Sequence, residues 1–289
     1  AYRQLFAPEQ QSQLASWMLV AGTAGALAAT VPVAMALPAI GWRGIFWVLA
    51  VLLLLVSAAI FLSLRGVERR FAAAAHGAAA ATGDDGGYRR IFGSAYFRRM
   101  SVLALVHYGI FLALQTLWAG PWMMTVLGKS QTQTSEILFM LNLVLMMSYL
   151  ALGWAAPRLA ARGVNPHRVI GFGIGGMVLA QCAMLFTQSE HAWVLWLLLA
   201  MCVPVMTLAQ SHVPLAFPAS LAGRANSAYN LLLFIGAFAT QWGFGVLADE
   251  LKANGATPID AFRAALAIVV ALQAAALVYF IASRAEPHD

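Results

Sequence analysis

The sequence predicts an all-α fold, a polytopic transmembrane helical bundle with eight spans. Three observations predict it. Of 289 residues, 62% are apolar and only 10% charged, against about 45–50% and about 25% in soluble domains. The apolar residues fall in unbroken runs of about 20, the length a helix needs to cross a bilayer. The arginines lie between those runs. Membrane barrel strands would alternate in polarity over about ten residues, and no run does.

The first run is Leu14–Leu37, rich in small residues (Gly22, Gly25, Ala29) that let helices approach closely in lipid. Gly41–Gly44 makes a short turn into the second run, Ile45–Leu64. Residues 65–99 then form the one long polar interval, with Arg65, Arg69, Arg70, Arg89, Arg90, Arg98 and Arg99 around an Ala/Gly-rich centre holding Asp84 and Asp85. Six runs follow: Met100–Leu127, Ile137–Ala156, Val169–Phe186, Ala192–Phe217, Asn226–Leu247 and Ala261–Ser283. Two runs before the interval and six after it divide the chain into residues 1–64, 65–99 and 100–289.

Basic residues set orientation, because cytoplasmic loops carry the excess of Lys and Arg. With eight spans the gaps alternate sides. Thirteen arginines (Arg3, the seven of the interval, Arg158, Arg162, Arg168, Arg224 and Arg284) share one side, and Arg43, Lys129, Lys252 and Arg263 the other. The bias places both termini and residues 65–99 in the cytoplasm of a multi-pass cell-membrane protein, with a bacterial inner membrane as the expected setting. It also accounts for the net charge of +6 without a nucleic-acid partner. Cys182 and Cys202 sit inside apolar runs without metal-ligand spacing, so neither a zinc site nor a disulfide framework is expected.

Several stretches, in order, resemble the major facilitator superfamily of secondary transporters. Gly22-Thr23-Ala24-Gly25 followed by Ala29-Thr30-Val31-Pro32 is similar to the Gly/Pro motif of that family's fifth helix, and Gly41-Trp42-Arg43-Gly44-Ile45-Phe46 to the link into its sixth. The basic interval resembles the loop between its two six-helix halves. Gly153-Trp154-Ala155-Ala156-Pro157-Arg158 is similar to the Gly-x-x-x-Asp-Arg loop, with Pro157 in place of the Asp. Gly223-Arg224-Ala225-Asn226, running on to Gly236, Gly243 and Asp249, resembles the eleventh helix. The resemblance implies that residues 1–64 are the last two helices of an N-terminal half. It makes 65–99 the cytoplasmic linker and 100–289 the C-terminal half. Four earlier helices would precede Ala1.

Polar side chains inside spans are costly, so they face a cavity or another helix. In the third run His107, Phe111, Gln115, Trp118 and Trp122 follow at steps of four, four, three and four, which helical periodicity places on one face. Thr207 and Ser211 lie between Pro204 and Pro214 in the sixth run, and Asn226, Asn230 and Gln241 follow one another in the seventh. His107, Gln115, Trp118, Thr207, Ser211, Asn226, Asn230 and Gln241 are therefore the expected cavity residues. The bland alternative is interhelical hydrogen bonding. His107 is the one imidazole placed to couple a proton, or else a satisfied polar contact near the cytoplasmic entrance.

The expected function is secondary transport of a small solute by alternating access, with or without a coupled proton. The partners are then the lipid bilayer and the solute, with no cofactor and no obligate protein partner. A non-transporting receptor or assembly factor on the same scaffold is the second reading. A membrane-embedded enzyme is the third; no His-Glu-x-x-His or Gly-x-Ser-x-Gly motif supports it.

Overall fold

Apolar runs with capped ends become helices whose limits are set by the caps, not by the runs. The computed structural model describes residues 20–75, 87–187, 189–283 and 285. Helix α1 (Val31–Ala75) is followed by a short α2 (Gly87–Gly93) and by α3 (Ala95–Thr125), α4 (Gln131–Ala161), α5 (Pro166–Phe186), α6 (Val194–Ala216), α7 (Ala219–Ala253) and α8 (Pro258–Ala282). No strand occurs among the described residues.

Seven of these helices are long and apolar enough to cross a membrane, where the runs gave eight. The difference lies at the first run. Its residues 14–19 fall outside the described part; 20–28 are helical, and a turn at Ala29–Thr30 follows. Thr30 Oγ1 closes that turn on the Leu27 carbonyl at 2.6 Å. The remainder is continuous with the second run as α1, interrupted only at Gly41, whose φ of 65° and ψ of 171° are not helical. A left-handed φ of this kind is open to glycine at no steric cost.

Most of the interval between α1 and α3 that is described is also helical. α1 runs on to Ala75, and α2 is joined to α3 by the single residue Ser94. Ser94 caps α3 by accepting from the Phe97 amide at 3.2 Å, and so satisfies one of the orphan donors of the first turn. Asp84 and Asp85 lie outside the described residues.

The other helix starts follow the same logic. Ser130 and Gln133 form a capping box, so α4 begins six residues before its apolar run. Asn165 caps α5 with Pro166 in the first turn, and Thr257 caps α8 with Pro258 in the first turn and Asp260 near the amide end.

α3 to α8 form one packed unit. α7 packs on α3, α6 and α8, α5 on α6 and α8, and α4 on α3 and α6. Lipid tails are as apolar as leucine, so close van der Waals fit holds such helices together. Two glycine contacts show how close the fit is. Gly109 of α3 meets the Gly236–Ala237 backbone of α7, and a Cβ on Gly236 would overlap the Leu105 carbonyl oxygen. On α5, a Cβ on Gly173 would come within 2.5 Å of Val205, and one on Gly176 within 2.8 Å of Cys202 Sγ. α1 stands apart. It touches α4, and none of its most apolar 18-residue window is buried.

Candidate functional site

Two of the six packed helices are irregular where polar residues gather. α3 contains π-helical turns at Leu103–Tyr108 and Leu114–Trp118. α6 tightens into 3₁₀ turns at Val203–Val205 and Val213–Ala216, on Pro204 and Pro214. The cause in α6 is direct: proline has no amide to donate and its ring crowds the preceding turn. Thr207 Oγ1 takes up the Pro204 carbonyl at 2.7 Å.

The second π turn presents Gln115, Thr116 and Trp118 to α4 and α7. Gln115 Nε2 donates to Asn142 Oδ1 at 2.9 Å, and Asn142 Nδ2 donates to the Leu138 carbonyl at 2.8 Å. Gln241 Nε2 donates to Thr116 Oγ1 at 3.1 Å, and Trp118 Nε1 to the Gln241 carbonyl at 3.2 Å. The Trp118 ring lies 4.7 Å from Phe244 and 5.8 Å from Phe262, centroid to centroid. Gly245 leaves room for it: a Cβ there would sit 3.2 Å from the indole. Three helices are thus stitched by neutral amides beside an aromatic floor. Gln115 Oε1 and Gln241 Oε1 accept no hydrogen bond from the described residues, although each has lone pairs for one.

A second polar group joins α6 to α7. Gln210 Nε2 donates to Asn230 Oδ1 at 3.0 Å, and Asn230 Nδ2 to the Asn226 carbonyl at 3.1 Å. Ser211 is exposed and donates to the Leu208 carbonyl at 2.9 Å. The same carbonyl lies 2.7 Å from His212 Nδ1, which must then carry its proton. Asn226 is half-buried on the face beside Asn230.

The structure therefore brings Gln115, Trp118 and Gln241 into one group and Thr207, Ser211, Asn226 and Asn230 into another. His107 belongs to neither. It is 0% exposed, and neither ring nitrogen makes a hydrogen bond. Its surroundings are the core side of α3, near Gln273 of α8. Gln273 and Gln181, both fully buried, exchange hydrogen bonds at 2.7 and 3.2 Å. Phe111 and Trp122 also point inward, at 2% and 3% exposure.

Along the stripe from His107 to Trp122, Trp118 and Trp122 both pack on Phe262 of α8, His107 lies near Gln273 of the same helix, and Gln115 reaches Asn142 of α4. Two π turns interrupt the stripe, and a π turn holds more residues than an α turn, so the 3.6-residue count drifts. Thr116, Asn142 and Gln210 complete the polar groups. Asn142 and Gln210 carry the signal of an isolated amide in an apolar run. Thr116 carries none, since a helical threonine ordinarily bonds its own preceding turn, as here with the Leu112 carbonyl at 2.6 Å.

Among the described residues no three of His, Cys, Asp and Glu gather as metal ligands. No carboxylate, ammonium or guanidinium stands in either polar group. The chemistry on offer is neutral hydrogen bonding next to aromatic surface, set in a bundle of membrane-crossing helices.

No curated protein sequence matches the chain. The family model of the Major Facilitator Superfamily matches residues 2–241, from before α1 to Gln241 in α7. That match takes in the irregular helices α3 and α6 together with the amides stitched to them, and by it this chain is a member of the Major Facilitator Superfamily.

Proposed function

We propose that the protein is a secondary transporter of a small, polar, uncharged or amphipathic solute, working by alternating access. α1 belongs to one helical bundle and α3–α8 form the other, with the arginine-rich interval between them in the cytoplasm of a bacterial inner membrane. The bundles rock about a site near the middle of the bilayer.

One observation carries the choice of solute. Gln115, Thr116, Asn142 and Gln241 bond one another across α3, α4 and α7 without any charged member. An anion would call for an arginine or lysine at this depth, and burying one is costly enough to mark the sequence. The unused acceptors of Gln115 and Gln241 favour a solute that donates hydrogen bonds, and the Trp118 face supports an apolar or sugar-like flank.

Uptake or efflux by the full-length gene product in vesicles tests the proposal, screened over neutral, cationic and anionic solutes with and without a pH gradient. Gln115→Ala and Gln241→Ala should each raise KM by about two- to tenfold for the transported solute, the size of one hydrogen bond. Unchanged kinetics in both variants would remove these residues from the site. Transport confined to anions would remove the substrate class.

A further inference from the structure

We infer that α2, together with Arg98 and Arg224, is a platform that docks on the headgroups of an anionic phospholipid leaflet. The argument begins with what α2 buries and what it shows. Ile91 is fully buried against the six-helix unit, while Tyr88 and Phe92 are 52% and 43% exposed beside the exposed Arg89 and Arg90. In water two exposed aromatics on a seven-residue helix are out of place. At headgroup depth they are at home, since amphipathic rings sit at the membrane–water boundary.

Position supports this. Only Ser94 separates α2 from α3, a helix long and apolar enough to cross a membrane, so α2 stays at the end of that helix. It is also held there. Arg98 Nη1 donates to the Gly93 carbonyl at 2.6 Å and to the Phe92 carbonyl at 3.3 Å, and the Phe92 ring meets Phe97 edge-on at 5.3 Å. Arg224 of α7 reaches the other end of α2: a Cβ on Gly87 would lie 3.7 Å from its Nη1.

Charge supports it independently. At this end, α2, α3, α5 and α7 have no acidic residue in their first turns. The two ion pairs of the described residues, Lys129–Glu190 and Lys252–Asp249, are at the opposite end of the unit. Arg89, Arg90, Arg98 and Arg224 are exposed, and none of them has a carboxylate partner among the described residues. Guanidinium forks match phosphate geometry, and each basic residue near an anionic leaflet strengthens attachment about fivefold.

The test uses the full-length protein in nanodiscs of phosphatidylcholine with rising fractions of phosphatidylglycerol, and counts retained lipids by native mass spectrometry. The wild type should retain phosphatidylglycerol preferentially. Arg89→Gln with Arg90→Gln should lower that retention about 25-fold, fivefold for each charge, and Arg89→Lys with Arg90→Lys should keep most of it, which separates lost charge from lost fold. Lys129→Gln with Lys252→Gln, at the other end, should change nothing. Equal retention in the Gln pair and the wild type overturns the inference, as does equal loss in the two Gln pairs, which would mean bulk charge alone. Release of the lipid by millimolar inorganic phosphate would also overturn it in favour of a soluble anion.

Discussion

Replacing Gly236 by alanine tests the packing on which the site depends. The added Cβ would overlap the Leu105 carbonyl oxygen and stand 2.7 Å from the Leu105 carbonyl carbon and 3.1 Å from its Cα. All three are backbone atoms, so no side chain can swing aside. α3 and α7 must part by roughly 1 Å, and a gap of that size forfeits about a quarter to a half of each dispersion contact across it, each worth about 0.1–0.2 kcal/mol. A crossing with on the order of 40 such contacts then loses about 1–4 kcal/mol, which overlaps the usual cost of overpacking, about 1–3 kcal/mol.

The same helix supplies the control. A Cβ on Gly243 meets nothing within 4 Å, so Gly243→Ala should stay within about 0.5 kcal/mol of the wild type. Unfolding in mixed micelles by titration with a denaturing detergent, followed by the fluorescence of the nine tryptophans, gives both values. Because Thr116 and Trp118 meet Gln241 across this crossing, transport should fall in Gly236→Ala and persist in Gly243→Ala. Equal stability of the two variants would refute the close crossing.

Four further substitutions probe the buried polar groups. Arg99→Ala removes bonds from Nε to the Phe280 carbonyl at 3.1 Å and from Nη1 to the Ala285 carbonyl at 3.0 Å, and a stack 4.6 Å from the Phe280 ring; it should destabilise the protein by about 1.5–3 kcal/mol in the same detergent titration. His107→Leu exchanges a buried imidazole beside Gln273 for an apolar side chain, so it should stay within about 1 kcal/mol of the wild type in the same detergent titration; loss of transport with the fold intact would instead make His107 a coupling group. Gln273→Leu should cost more than Gln181→Leu with Gln273→Leu together, and a double-mutant cycle should give a coupling of about 0.6 kcal/mol, with about 1.7 as the upper end.

Much of the fold was legible because a bilayer imposes length, and length is visible in a linear sequence. Every run from Met100 onward became one spanning helix. What the runs could not give was which side of a helix faces protein. On α5, Phe172, Leu179 and Phe186 are exposed while Ile174, Met177 and Met184 are buried, and nothing in hydrophobicity separates the two sets. At the first run residues 14–19 lie outside the described part, and the Gly41–Gly44 turn read from the sequence is present only as a break in conformation at Gly41 within α1.

The candidate site was legible residue by residue but not in its grouping. Gln115, Trp118 and Gln241 stand out as polar or amphipathic side chains in apolar surroundings, and they do meet. His107 stands out by the same criterion and turns inward. The difference arises between them, where the chain leaves the first π turn at Tyr108 and enters the second at Leu114. Those turns have no sequence signature of their own. The first lies where Leu105 and Gly109 are pressed against Gly236 and Ala237, more than 120 residues further along the chain. A tertiary contact thus accompanies the local register, and the local register sets which neighbours each polar residue of α3 meets.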